Sequence, residues 1–261
     1  MNVLIGYSDT ELKNSVVPSV EKEKVLSIIR EKLTAHGLCV TKLEKKDSVG
    51  EHVWTRDNFF VLGGKCFLCN VTSSDTLKHD RKPEQLNTMK FLQSRYGSDS
   101  IIRIPFPIEG GDVVVSGDDV FVGIGKRTTV DAFHFLERHF EFGNFRFHRV
   151  AHDDLHLDCC FAVLGDTVLY NGSRLSADDI TSIEDSSNTS SFRFQFRDLD
   201  EVSQDKLNTN FITTGRVVFH GKLSREMLNL FRSEGYEVVQ IAELNKMYAE
   251  GGGIRCLTQF F

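Results

Sequence analysis

Four short segments carry side chains able to do chemistry together: Trp54-Thr55-Arg56-Asp57, Glu109-Gly110-Gly111-Asp112, His156-Leu157-Asp158 and Gly251-Gly252-Gly253-Ile254-Arg255-Cys256. The thiolate is the nucleophilic form of cysteine, and the cation of Arg255 favours it at Cys256. Three glycines ahead of that cysteine let the backbone approach a ligand closely. His156 can give and take a proton near neutral pH. In an extended run it shares one face with Asp158, with apolar Leu157 opposite. Glu109, at the head of a Glu-Gly-Gly-Asp turn, can hold a histidine in its proton-donating form. These are the parts of covalent catalysis by cysteine. Each also has a plainer reading: a buried cysteine in a terminal strand, a satisfied strand histidine beside a solvated aspartate, and an ordinary hairpin turn.

The other cysteines point to no metal. Cys66-x-x-Cys69 lacks a second pair at zinc spacing, and in a strand its members face opposite ways. The adjacent Cys159 and Cys160, beside His156 and Asp158, would ligate one ion poorly for the same reason. No organic cofactor is expected either, because Gly123-Ile-Gly-Lys-Arg-Thr lacks the spacing of a phosphate-binding loop.

The elements that must position these residues recur. Helices are expected from Ser19 to a stop at Gly37, from Pro83 to Gly97, after Thr128, from a Ser176/Asp179 capping box, and from Ser224 to Gly235, the last with a Leu223–Leu228 staple. Caps at Lys82, Thr128, Ser176 and Ser224 lie 46, 48 and 48 residues apart, whereas Ser19 to Lys82 spans 63. Between them lie apolar runs suited to strands: Phe59–Asn70, Asp112–Val115, Val120–Ile124, His156–Leu164, Thr167–Tyr170, Phe192–Phe196, Asn210–Thr213, Val217–Phe219 and Tyr236–Ile241. A unit of one helix and several strands, repeated at that length, suggests radially arranged blades; an ordinary α/β domain with coincidental spacing is the alternative.

The chain has 261 residues, 40% of them hydrophobic, enough for one sizeable core and compatible with a single domain over 1–261. A net charge of −6 gives no basic footprint for nucleic acid. No apolar run approaches the roughly 18 residues of a membrane helix. With no secretory signal read at the N-terminus, six reduced cysteines and a cytoplasmic location are expected.

In combination and in this order, the segments resemble those of the guanidino-group modifying enzymes, which include arginine deiminase, dimethylarginine dimethylaminohydrolase, agmatine deiminase and arginine:glycine amidinotransferase. The similarity runs through Glu109-Gly-Gly-Asp-Val to Gly123-Ile-Gly-Lys-Arg-Thr and through the tail from Asn208 to Phe261. It implies an α/β propeller of five pseudo-symmetric ββαβ units around a central site. It also implies that Cys256 attacks a guanidinium carbon, that His156 protonates the departing nitrogen and then activates water, and that Glu109 orients His156. Asp57 and Asp158 would pair with the guanidinium nitrogens, and Arg127 and Arg81 would hold the substrate carboxylate.

For the substrate, the resemblance divides. The length, with no room for the helical insertion of arginine deiminases, suits dimethylaminohydrolases. Those enzymes, however, typically carry His-Leu-Lys where this chain has His156-Leu157-Asp158. A second carboxylate suits an unsubstituted guanidinium better than one bearing methyl groups. The expectation is therefore a deiminase-like hydrolase of arginine or agmatine, giving citrulline or another ureido product. Methylated arginine is the alternative substrate; amidinotransfer and a catalytically silent guanidino-binding protein are the further alternatives.

Overall fold

Glycines at the tips of short hairpins set the local architecture. The computed structural model describes residues 1–8, 15–44, 52–71, 81–141, 143–189, 194–200 and 207–261. Its elements in chain order are β1 (Asn2–Ile5), α1 (Ser19–Ala35), β2 (Cys39–Lys42), β3 (Phe59–Leu62), β4 (Lys65–Asn70), α2 (Lys82–Tyr96), β5 (Ile101–Pro107), β6 (Val113–Ser116), β7 (Asp119–Ile124), α3 (Val130–His139) and β8 (Arg146–Ala151). They continue with β9 (Phe161–Leu164), β10 (Thr167–Tyr170), α4 (Ala177–Thr189), β11 (Gln195–Asp198), β12 (Ile212–Thr214), β13 (Val217–His220), α5 (Arg225–Ser233), β14 (Glu237–Gln240), α6 (Asn245–Tyr248), α7 (Ile254–Leu257) and β15 (Thr258–Phe260).

Four hairpins, β3–β4, β6–β7, β9–β10 and β12–β13, turn through two residues. The first of these is Gly63, Gly117, Gly165 or Gly215, with φ of 58°, 58°, 60° and 54°. A two-residue hairpin needs positive φ there, which glycine reaches without strain. In each unit a helix follows the hairpin, and the next strand returns parallel to the hairpin's second strand. The fifth unit is assembled from both ends of the chain: β15 pairs antiparallel with β1, and β2 returns parallel to β1 after α1. The result is five three-stranded mixed sheets, the five-bladed α/β propeller.

Closure is visible in the core. One apolar cluster joins Leu4 of the first unit to Phe59, Leu68 and Leu92 of the next. Others join Phe60 and Phe67 to Val113 and Leu136, Phe121 to Phe161 and Ile183, and Leu169 to Val218 and Phe231. The last joins Phe219 and Ile241 back to Val3 and Ile29. Every cluster thus spans two neighbouring units. Truncating a fully buried ring such as Phe219 to alanine removes about 3–5 kcal/mol and loosens two blades at once.

Several local expectations are corrected. The apolar run 59–70 is two strands, split by Gly63 and Gly64. Helix α3 is capped by Thr129, whose hydroxyl accepts from the Ala132 amide, and not by Thr128. At α4, Ser176 Oγ accepts from the Asp179 amide, but Asp179 Oδ2 turns to the Ala151 amide at 2.7 Å and ties the helix to β8, so only half of the capping box forms. The Phe192 and Arg193 part of the expected 192–196 strand lies outside the described residues. Cys66 and Cys69 do face opposite ways along β4, into two different clusters.

The run His156–Leu164 is not one strand. His156 is extended, Leu157–Cys159 form a 3-10 turn, and β9 begins at Phe161. The turn forms because the amides of Cys159 and Cys160 bond back to the carbonyls of His156 and Leu157, while Asp112 Oδ1 takes the Leu157 amide at 2.8 Å. The two-residue alternation expected of His156 and Asp158 is therefore lost.

Candidate active site

The chemistry-bearing residues occupy equivalent places in the repeat, just before the first strand of a unit. Asp57 lies in the 3-10 turn Thr55–Asn58 ahead of β3. Glu109 precedes the 3-10 turn Gly110–Asp112 ahead of β6, and His156 precedes the turn Leu157–Cys159 ahead of β9. Cys256 is in the single helical turn α7 ahead of β15, and Asn210 sits ahead of β12. These turns pack on one another: that of Asp57 against those of Glu109 and Cys256, and that of Glu109 against that of His156. Residues far apart in the chain thereby meet.

Glycines permit that approach. A Cβ on Gly110 would lie 2.1 Å from the Arg56 carbonyl oxygen, and one on Gly111 2.7 Å from His156 Cγ. A Cβ on Gly252 would lie 2.3 Å from the Trp54 ring, and one on Gly253 2.6 Å from Asn210 Oδ1. No side chain fits at any of these positions without moving a residue of the site.

Asp57, Arg81, Glu109, Arg127, His156 and Cys256 all line one cavity of about 190 Å3, walled also by Trp54, Leu155 and Gly252. Glu109 Oε2 is 2.7 Å from His156 Nε2, and Asp57 Oδ1 is 3.8 Å from His156 Nδ1. Burial opposes charge on the imidazole, but Asp57 and Glu109 outweigh it and hold His156 well above its ordinary pKa. Burial alone would raise Glu109; the hydrogen bond and charge of His156, with Arg81 and Arg127, bring it below the usual carboxylate value. Burial pushes Asp57 up to about 6, against the pull of His156 and Arg81.

The two arginines expected at a substrate carboxylate are engaged with the site's own carboxylates. Arg81 Nη1 lies 3.2 Å from Asp57 Oδ2 and 3.4 Å from Glu109 Oε2, and its Nε donates to Glu84 at 2.9 Å. Arg127 Nη1 reaches Glu109 Oε1 at 3.2 Å. Asp158, fully buried, is outside the lining of the cavity. Its Oδ2 faces Arg255 Nε at 3.3 Å and Arg56 Nε at 3.6 Å.

The structure also gives roles to residues to which the sequence assigns none. Asn210 Nδ2 donates to Cys256 Sγ at 3.0 Å, and its Oδ1 accepts from the Arg255 amide at 3.0 Å, so one amide side chain fixes the cysteine turn. Asp112 anchors the turn that follows His156. It accepts from the Leu157 amide and from Thr128 Oγ1 at 2.6 Å, and Thr128 Oγ1 in turn accepts from the Glu109 amide at 3.2 Å. Arg56 is buried between units, donating to Gln259 Oε1 at 2.8 Å and to the Val113 carbonyl. The position of Asn210 in a repeat phased on the other four turns was the one available clue.

Among the described residues, the donor atoms within each of two buried groups, His156–Asp158–Cys159 and Asp57–Glu109–His156, lie within 4.8 Å of one another. Both draw on His156, whose Nε2 is committed to Glu109, and we read them as parts of the hydrogen-bonded network. Among the described residues no helix is long and apolar enough to cross a membrane.

Residues 47–221 match the family model described as arginine deiminase. YkgA of Bacillus subtilis is 29% identical over 230 residues, covering 87% of this chain and 76% of that protein. A protein of Aeropyrum pernix is 24% identical over 87% of this chain and 79% of its own length. Among solved structures, dimethylarginine dimethylaminohydrolase from Pseudomonas aeruginosa, in complex with citrulline, superposes with a TM-score of 0.81 at 16% identity, covering 100% of this chain and 98% of that one. The N-terminal domain of ArgZ, a cyanobacterial arginine dihydrolase, covalently bound to a reaction intermediate, gives 0.81 at 18% identity, with 99% and 96% covered. The chain spans 39% of the length of full-length ArgZ.

Proposed function

We propose, from the premise that the chain belongs to the arginine deiminase family, that it hydrolyses the guanidinium group of an arginine-like substrate, with residues 1–261 acting as one catalytic unit. The observation that carries this reading is the convergence of Cys256, His156, Glu109 and Asp57 on one cavity.

In this reading the planar cation enters with its nitrogens toward Asp57, and its charge favours the thiolate of Cys256. Sulfur attacks the guanidinium carbon and a C–S bond forms. The imidazolium of His156, held charged by Glu109, gives its proton to the departing nitrogen as the C–N bond breaks. Nε2 is committed to Glu109, which leaves Nδ1, on the Asp57 side, for this transfer. The neutral imidazole then takes a proton from water. The hydroxide adds to the thiouronium carbon, the C–S bond breaks, and a ureido product leaves with the thiolate restored. Asn210 holds the sulfur in line through its amide. Arg81 and Arg127 would release part of their hold on Asp57 and Glu109 to meet an anionic end of the substrate.

Arginine, giving citrulline and ammonia, is the first substrate to test. A specific observation favours a second reading, methylated arginine. Asp158 is paired with Arg56 and Arg255, so a methyl-bearing nitrogen need not face its charge. Incubation with arginine, agmatine and dimethylarginine, reading ammonia, dimethylamine and ureido product, tests both. Release of ammonia from arginine supports the first and preferential release of dimethylamine the second. No ureido product from any of the three, despite binding, removes the hydrolase reading.

A further inference from the structure

Beside the proposed nucleophile lies a second thiol that the reaction above does not use. Cys159 is buried, its Sγ donates to Asp158 Oδ1 at 3.7 Å, and the charge of Cys256 acts on its thiol. Three contacts clamp the two turns that carry these sulfurs. Arg255 Nε lies 3.3 Å from Asp158 Oδ2, Thr209 Oγ1 donates to the Asp158 carbonyl at 3.1 Å, and Asn210 Nδ2 donates to Cys256 Sγ at 3.0 Å. Cys159 also borders a second cavity of about 760 Å3, which shares Leu155 and Gly251 with the catalytic one, so each of the two cysteines borders a cavity of its own. The adjoining Cys256, together with burial and the Asp158 carboxylate, holds the Cys159 thiol well above its ordinary pKa, so it stays protonated at neutral pH. A cysteine that opens on a substrate site, with a second, buried thiol beside it, is the arrangement of a reactive cysteine and its resolving partner.

We propose that Cys159 and Cys256 form a reversible disulfide when the site meets a hydroperoxide, with Cys159 as the resolving thiol. This rests on the reading of Cys256 as the nucleophile of the site. In the first step the Cys256 thiolate attacks one peroxide oxygen. An S–O bond forms, the O–O bond breaks, and the other oxygen leaves as an alkoxide or hydroxide that takes up a proton. The sulfur loses two electrons and the peroxide gains them. In the second step the Cys159 sulfur attacks Cys256 Sγ. The S–S bond forms, the S–O bond breaks, and the departing hydroxide leaves as water with the Cys159 proton. A dithiol reductant restores both thiols. While the bond stands, Cys256 has no sulfur to offer a guanidinium carbon and cannot proceed to sulfinic acid.

The full chain, titrated with hydrogen peroxide, alkylated and digested without reductant, is the test, read by mass spectrometry. The expected product is a cross-linked pair of peptides carrying Cys159 and Cys256, lighter by two hydrogens and separated by dithiothreitol. It persists in Cys160→Ser. In Cys159→Ser, or in Cys159→Ala should the serine variant fold poorly, the Cys256 peptide gains two oxygens, and dithiothreitol does not reverse it. Sulfinic acid at Cys256 of the unsubstituted chain without the cross-link overturns the proposal. So does a cross-link to Cys160 or Cys69, or an unaltered Cys256 at a peroxide dose that oxidises the exposed Cys39. Because mass is read and not turnover, a chain that cross-links but releases neither ammonia nor amine keeps this inference and loses the functional reading.

Discussion

Glu109 Oε2 lies 2.7 Å from His156 Nε2 across 47 residues of sequence, each residue leading into the first strand of its own blade. The contact follows from the repeat: wherever the turns ahead of these strands pack together, whatever they carry meets. It also fixes the charge state that the proposed chemistry uses. Glu109→Gln keeps the shape and removes the anion, so the imidazolium loses one of the carboxylates that hold its pKa up. Because the folded-state pKa of His156 is raised, the proton donor persists above pH 6.5, and the pair's contribution to stability is complete below that pH and lost as pH rises through the raised value. The variant is expected to lose roughly 10²–10⁴-fold in kcat and to shift the alkaline limb of kcat/KM to lower pH. An unchanged alkaline limb would contradict this role of Glu109.

Asp57 is retained at a cost to the fold. Burial raises its carboxyl from 3.8 to about 6, so the folded state binds this proton more tightly than the unfolded chain, and stability falls as pH rises from about 4 through 6. Asp57→Asn is expected to unfold at higher temperature at pH 7.5, with a gain on the order of 2 kcal/mol that shrinks below pH 5, while turnover is lost. Thermal unfolding across pH, set beside activity, checks both halves. A variant less stable at pH 7.5 would mean that the Arg81 and His156 contacts outweigh burial.

At Gly111 a methyl group would press against His156 without removing any catalytic atom. Its Cβ would sit 2.7 Å from Cγ and 2.9 Å from Nδ1 of the ring. Gly111→Ala is expected to reduce kcat by about 10²-fold, the cost of misplacing a catalytic group by an ångström. The same substitution at Gly37, where nothing lies within 4 Å but φ is +81°, should lower stability and spare kcat. Steady-state kinetics and melting curves of the two variants separate position from folding.

Asp112 ties the turns of two blades together. It accepts from the Leu157 amide and from Thr128 Oγ1, and lies 3.0 Å from His152 Nε2. Asp112→Ala leaves those buried donors without partners and is expected to cost about 3 kcal/mol, read as a lower urea midpoint, with loss of activity. A midpoint unchanged within error would show that Asp112 does not hold the two blades in register.

How much of this was legible in the sequence depended on range and period. The start of α1 at Ser19 and the cap of α5 were local signals: α1 is preceded by Pro18 with no side-chain cap, and Ser224 Oγ accepts from the Met227 amide. The returning strand β5 was missed because Pro105 and Pro107 argue against a strand, and it tolerates them as the edge of its sheet. The pairing of β15 with β1 joins the two ends of the chain, and no periodicity foretells it. Cys256 and Glu109 stand beside glycines and His156 heads an apolar run, whereas Asp57 is singled out by the order of the segments and their resemblance to the guanidino-group modifying enzymes. The orientation of Asp158 could not, because alternation by two holds in strands and fails in the 3-10 turn that Asp112 enforces. Asn210 stood in an unremarkable polar stretch, marked only by its place in the repeat, and its 3.0 Å contact with Cys256 Sγ assigns it to the site.

The central claim is that Cys256 bonds to the guanidinium carbon. Rapid acid quench during turnover of arginine and of dimethylarginine, followed by peptide mapping, tests it most directly. The peptide carrying Cys256 should gain the substrate less the departed amine, the adduct should decay as ureido product appears, and Cys256→Ser should bind substrate and form neither. Turnover with no adduct on Cys256, together with activity surviving in the serine variant, would contradict it.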